Sequence, residues 1–316
     1  MYIPVFEDIK AAHERIAPFV HLTPVLTSQS VNKIAGCKIF FKCENFQKVG
    51  AFKYRGATNA TLLLTEDEAK RGVATHSSGN HAAALALAAS RRGINAHIVM
   101  PSNSPEVKVK AVKGYGGKIT FCEPTLAARE TTLEDVVAKT GAVFIHPFDN
   151  PRIIAGQGTA CKELMEEHPL LDIIITPVGG GGLLSGTLIS ARHLKPGIKT
   201  YAAEPLGAND AWQSLKAGTF IPQTNPQTIA DGLRTSLSEL TFAIIQKNCD
   251  DILCVDDNAI IRAMRIIWER MKIIVEPSAA IPFAAILENP ELFSGKNVGL
   301  IISGGNVELS ALKEIF

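Results

Sequence analysis

Short apolar runs alternate with helix-length stretches along almost the whole chain, and this alternation restricts it to a mainly parallel α/β architecture. The expected strands are Lys38–Lys42, Val73–His76, Ala96–Met100, Lys118–Cys122, Val143–His146, Asp172–Pro177, Thr200–Ala203, Ile252–Val255 and Val298–Ser303. Most are continuous apolar runs, the pattern of strands covered on both faces. Amphipathic or alanine-rich segments such as His81–Arg92 and Ile260–Met271 lie between them. This many strands fits two parallel sheets with a cleft between them better than one very wide sheet. A small domain is expected at 72–149, inserted into a large domain made of 1–71 and 150–316.

With 316 residues, 46% of them hydrophobic, the chain can build a large core without a disulfide or metal staple. Its net charge of +1 argues against a broad nucleic-acid or membrane-binding surface and favours a small-molecule partner. The six cysteines are scattered without a CxxC pair, so reduced thiols are expected rather than zinc ligands. The start, MYIPVFEDIK, has no basic stretch followed by an apolar one, and no apolar run reaches the ~20 residues of a membrane span. A cytoplasmic location is the expectation.

Four segments rich in glycine or small polar residues carry the chemistry, and three of them directly follow an expected strand, where open parallel sheets bind ligands. Gly179, Gly180, Gly181 and Gly182 lie between the run ending at Val178 and the helical stretch Leu183–His193. Such a run lets backbone N–H groups converge on one anion at a helix start, which suits a phosphate; a tight turn is the simpler alternative. The spacing matches neither GxxxxGK[ST] nor GxGxxG. Lys53 stands among small and aromatic residues in GAFKYRGA, where desolvation would suit it to covalent carbonyl chemistry; taken alone, a solvated surface lysine is the better reading. Ser77, Ser78, Gly79, Asn80 and His81 precede a strongly helical stretch and either cap it or capture a substrate carboxylate. His76 and His81 do not share a helical face, so a metal there has little support. Ser303, Gly304, Gly305 and Asn306 form the fourth segment, or else a turn into a last helix.

Taken together, FFKCENFQKVGAFKYRGA, THSSGNH, AGQGT, TPVGGGG, YAAEP, IADGL, WERMK, VEPSAA and LIISGGNV resemble the serine racemase and threonine dehydratase family of fold-type II pyridoxal phosphate (PLP) enzymes. The resemblance runs from Leu22 to Val307. It implies a tryptophan synthase β-like fold of two parallel-sheet domains with the active site in the cleft. It also implies a PLP-dependent serine racemase with accompanying serine dehydratase activity. A threo-3-hydroxyaspartate, L-serine or L-threonine ammonia-lyase is the alternative, and a non-catalytic amino-acid sensor is the competing class. Lys53 would be joined to the cofactor and act as base on one substrate face, with Ser78 as acid on the other. Gly179 to Gly182 and Leu183 would cradle the phosphate, Asn80 would meet the ring hydroxyl, and Ser303 the pyridine nitrogen. Ser77, Ser78, Asn80 and His81 would hold the substrate, and Arg129 lines the family's substrate pocket, where it would favour an acidic side chain.

The same resemblance implies a divalent-cation site at Glu204, the Ala208 carbonyl and Asp210. These are hard oxygen ligands suited to Mg²⁺, Ca²⁺ or Mn²⁺. A homodimer without a regulatory segment is implied as well. The chain departs from the family's animal members at Phe148, where they carry asparagine. It departs again at the nucleotide-effector positions, where Gln29, Val49 and Ala83 replace a serine, a threonine and a glutamine. These differences argue against an ATP effector.

Overall fold

The computed structural model describes residues 1–308. Ten strands form two sheets: β1 (Val25–Leu26), β2 (Lys38–Cys43), β3 (Val73–His76), β4 (Ala96–Pro101), β5 (Lys118–Cys122), β6 (Val143–Phe144), β7 (Ile173–Pro177), β8 (Lys199–Pro205), β9 (Asp251–Val255) and β10 (Asn297–Ile302). The larger sheet has the order β1-β2-β10-β7-β8-β9 and the smaller the order β5-β4-β3-β6. Every pairing is parallel except that of β1 with β2. This is the expected pair of parallel sheets.

Burial explains why the strands were visible. Every residue of β7 is buried, as in a central parallel strand with helices on both faces. Edge strand β5 departs from this pattern, since Lys118, Thr120 and Phe121 are exposed. The run expected to continue to His146 stops at Phe144. There the His146 ring accepts hydrogen bonds from the N–H groups of Phe148 (3.3 Å) and Asp149 (2.8 Å), which fold the chain into a turn. The two-residue β1 was too short to leave a pattern, and the expected last helix lies outside the described residues.

The core of the smaller sheet combines Val73, Ile98 and Met100 with Ala60, Leu64 and Ala69 before it and Ile153 after it. Its packing therefore draws on residues flanking 72–149. One ion pair spans the cleft: Lys108, on the helix Glu106–Gly114, meets Asp231 at 2.5 Å. Both side chains are partly exposed, so the pair adds little stability by itself.

The helices Pro151–Glu167 and Gly182–Leu194 cross where two glycines meet. A Cβ on Gly186 would lie 2.5 Å from both the Gly158 nitrogen and the Ile154 oxygen, and backbone cannot step aside as a side chain can. Gly186→Ala is therefore expected to lower stability by ~1–3 kcal/mol, the usual cost of forcing atoms into a packed interior. Urea denaturation would measure it; an unchanged midpoint would show that the helices separate freely. None of the described helices is long and apolar enough to cross a membrane.

Candidate active site

Backbone bonds stitch the Lys53 and Ser303 segments together. The Phe52 N–H donates to the Ser303 carbonyl (3.0 Å), the Gly305 N–H to the Gly50 carbonyl (2.9 Å), and Ala51 bridges Gly304. Lys53 opens the helix Lys53–Leu62, and its Nζ donates to the Pro147 carbonyl at 3.0 Å. The same Nζ lies 5.1 Å from the centroid of the Phe52 ring. Burial lowers the amine pKa to about 8, against a raising influence from Glu276. Its proton is thus easier to remove than that of a solvated lysine.

Gly179 to Gly182 and Leu183 are buried at the start of the helix Gly182–Leu194. A Cβ on Gly179 would come within 2.9 Å of the Leu233 Cα, and one on Gly180 within 2.2 Å of the Phe148 ring. Gly181 has φ +83°, a conformation that side-chain-bearing residues avoid. Glycine thus lets the chain pass closely under Leu233 and Phe148 at the positive end of a helix dipole, a place that suits a phosphate.

Ser77 and Ser78 link β3 to the helix Asn80–Arg92. The Ser77 N–H donates to the Val99 carbonyl (3.1 Å), and its Oγ accepts from the Gly79 N–H (3.3 Å). Asn80 reaches across to the larger-sheet side, its Nδ2 lying 3.0 and 3.2 Å from the two carboxylate oxygens of Glu276. His81 is buried with Nε2 at 3.2 Å from the Ile145 carbonyl, while its Nδ1 has no partner among the described residues. Burial, reinforced by the charge of Lys53, drops the His81 pKa to about 3, so the ring is neutral. Arg129 lies on the helix Leu126–Thr140, donates to the Thr125 carbonyl (3.4 Å), and adds to the burial that lowers the His76 pKa. Among the described residues, no direct hydrogen bond joins Ser78 or Arg129 to Lys53. They belong to the smaller-sheet side, whereas Lys53, Ser303 and the glycine turn belong to the larger-sheet side.

A second polar centre lies beyond the end of β8. Glu204, Ala208 and Asp210 are each no more than 2% exposed. Glu204 accepts from the N–H groups of Ala211 (3.0 Å) and Trp212 (2.8 Å), while Asp210 accepts from that of Leu237 (3.3 Å). Burial, reinforced by Asp210, holds the Glu204 pKa well above the ordinary carboxylate value; burial also lifts Asp210 to about 6. Two neighbouring buried acids, each with its proton affinity raised by burial, suit a cation as counter-charge. Among the described residues, no group of three or more His, Cys, Asp or Glu side chains is placed to hold a metal. The expected set, with only two acids and a carbonyl, falls short of such a group.

Sequence reasoning gave Glu276 no role. A lone acid before Pro277 reads as a helix cap, yet its side chain makes no cap bond. A glycine turn for an anion and a buried amine of lowered pKa, on parallel sheets facing a cleft, define an α/β enzyme built around a phosphorylated aldehyde cofactor. Residues 16–304 match the family described as pyridoxal-phosphate dependent enzyme, and the chain belongs to that family.

The chain is 50% identical to the beta-hydroxyaspartate dehydratase of Paracoccus denitrificans over 312 residues, covering 99% of each. It is 52% identical to the serine racemase of Dictyostelium discoideum, covering 98% of this chain and 97% of the relative. The solved structure of maize serine racemase superposes with a TM-score of 0.96 at 47% identity, covering 99% of this chain and 97% of that one.

Proposed function

We propose that this enzyme interconverts L- and D-serine and also dehydrates serine to pyruvate and ammonia. The observation that carries the proposal is the part-buried Lys53 amine held 3.0 Å from the Pro147 carbonyl, next to Phe148, the ring against which Gly180 of the glycine turn packs. When bound, pyridoxal phosphate draws electrons from the α carbon of an attached amino acid and makes its proton labile. Gly179 to Gly182 and Leu183 hold the phosphate with backbone N–H groups and the helix dipole. Asn80 would meet the ring hydroxyl and Ser303 the ring nitrogen. A neutral serine hydroxyl there stabilises positive charge less than a carboxylate would, so the ring is a modest electron sink.

Ser77, Ser78, Asn80 and His81 bind the substrate carboxylate at the start of the helix Asn80–Arg92, where the first N–H groups of a helix lack intrahelical acceptors. Lys53 takes the α proton on one face, and Ser78 returns one on the other. Loss of the β-hydroxyl competes with that return, and a barrier difference of ~1.4 kcal/mol changes the ratio tenfold. Glu204, the Ala208 carbonyl and Asp210 hold Mg²⁺, or Ca²⁺ or Mn²⁺ in its place. The two buried acids support this assignment. The residues 72–149 act as a small domain against the rest, and the protein works as a cytoplasmic homodimer without an ATP effector.

A second reading is a lyase for threo-3-hydroxyaspartate, L-serine or L-threonine without significant racemisation. The cation Arg129 beside the β3 end and the likeness to a beta-hydroxyaspartate dehydratase favour it. Incubation with L-serine, D-serine, L-threonine and the 3-hydroxyaspartate isomers, with and without Mg²⁺, separates the readings. D-serine formed from L-serine supports the first. Keto-acid release without D-isomer supports the second, and neither product sinks both. Ser78→Ala is expected to abolish racemisation while L-serine still yields pyruvate. Chiral chromatography alongside a keto-acid assay checks this, and equal loss of both activities would remove the role given to Ser78.

A further inference from the structure

We propose that Glu276 is a positioning residue: its carboxylate fixes the Asn80 amide toward the cofactor and supplies the negative charge that balances the Lys53 amine. The inference rests on the roles given to Lys53 and Asn80 above.

Glu276 heads the helix Pro277–Glu288 but turns its side chain away from that helix. Its N–H donates to the Gly304 carbonyl (3.1 Å), which ties it to the Ser303 segment. Its Oε2 accepts from the Asn306 N–H (3.2 Å) as well as from Asn80. The Asn80 Oδ1 accepts in turn from Asn306 Nδ2 (2.9 Å), which also donates to the Val49 carbonyl (2.7 Å). A carboxylate can only accept, so the nitrogen end of the Asn80 amide must face it. The two ends of that amide are thereby fixed. Packing is tight as well, for a Cβ on Gly304 would come 2.7 Å from Glu276 Oε1.

Asp231 and Lys108 act on Glu276, and Glu276 in turn acts on Lys53. Burial raises its pKa to about 7 and Asp231 pushes the same way, while Asn80, Lys108 and the Asn306 N–H pull it down. Glu276 is therefore balanced between its two protonation states near neutrality. If protonated, it would lose acceptor capacity and release part of its hold on Asn80. If ionised, it favours the protonated form of the nitrogen on Lys53, as its raising influence on the free amine shows.

The test compares cofactor-loaded wild-type protein, Glu276→Gln, Asn80→Ala and the double variant. The measurements are the pH midpoint of the cofactor's visible band and the cofactor dissociation constant. Glu276→Gln is expected to move the midpoint to lower pH by at least ~0.5 unit, because a buried opposite charge is gone. It should also weaken cofactor binding about tenfold, the scale of one lost charged hydrogen bond. The two substitutions should be less than additive in binding, since one acts through the other. A midpoint that does not move, or full additivity, overturns the proposal. Should Glu276→Gln fail to fold, Glu276→Asp serves. It keeps the charge on a shorter arm, so binding should weaken while the midpoint stays near wild type; unchanged binding there overturns the proposal.

Borohydride reduction separates this inference from the functional one. Absence of cofactor mass on Lys53 of the wild-type protein would defeat the assignment of the site. An adduct on Lys53 whose midpoint ignores residue 276 defeats only the positioning role.

Discussion

Lys53→Ala is expected to cut turnover of L-serine by about 10³-fold or more, the scale of losing a general acid–base group together with a covalent attachment point. Borohydride-treated variant protein should carry no cofactor mass, whereas the wild type should carry it on the Lys53 peptide. The substitution is expected to leave the fold standing, because among the described residues the Lys53 Nζ hydrogen-bonds only the Pro147 carbonyl and an alanine is compatible with a helix start. Stability by urea denaturation should therefore change far less than activity. Full turnover in the variant would mean that another base serves the reaction and that the buried amine is structural.

Arg55→Met is expected to cost ~3–5 kcal/mol of stability, the range found when one member of a buried ion cluster is removed. The Arg55 guanidinium grips two carboxylates. Nε and Nη2 meet Glu44 at 2.7 and 2.9 Å, and Nη1 and Nη2 each meet Glu163 at 2.7 Å. Lys42 adds a contact to Glu163 at 2.7 Å. Without Arg55, two acids remain in an interior that offers them one cation. Burial alone would raise the Glu163 pKa, but Arg55 and Lys42 more than offset it and hold it below the ordinary carboxylate value. The contribution of Glu163 is therefore complete above the unfolded-state carboxylate pKa and is lost as pH falls through its lower folded value. Urea midpoints measured from neutral to acidic pH should show wild type falling in acid and Arg55→Met falling less steeply. Parallel curves with a small offset would mean that water reaches the cluster.

That cluster also shows where sequence reasoning stopped. The strands of the larger sheet were legible because a strand buried on both faces is written as an unbroken apolar run, as in Ile173–Ile174–Ile175. The glycine run was legible as the break between strand and helix, because four consecutive glycines favour neither element. By contrast, Lys42, Glu44, Arg55 and Glu163 look like solvated charges in sequence, and only the meeting of distant segments reveals that they neutralise one another. Glu276 stayed hidden for the same reason: its partners Asn80 and Asn306 come from other segments. The His146 turn was missed because a ring nitrogen accepting backbone N–H groups leaves no mark on local propensity.

Strand β10 lies between β2 and β7, with Val298 beside both Ile39 and Ile173. The larger sheet is therefore sealed by a segment that leaves the ribosome long after its neighbours. Until it arrives, β2 and β7 have no common partner, and the Phe52 N–H has no Ser303 carbonyl to accept it. Pairing β10 with β2 is a highly non-local closure, the kind of contact that slows folding. A chain halted before β10 thus carries Lys53 without the Ser303 carbonyl that holds the neighbouring Phe52 N–H in the finished sheet.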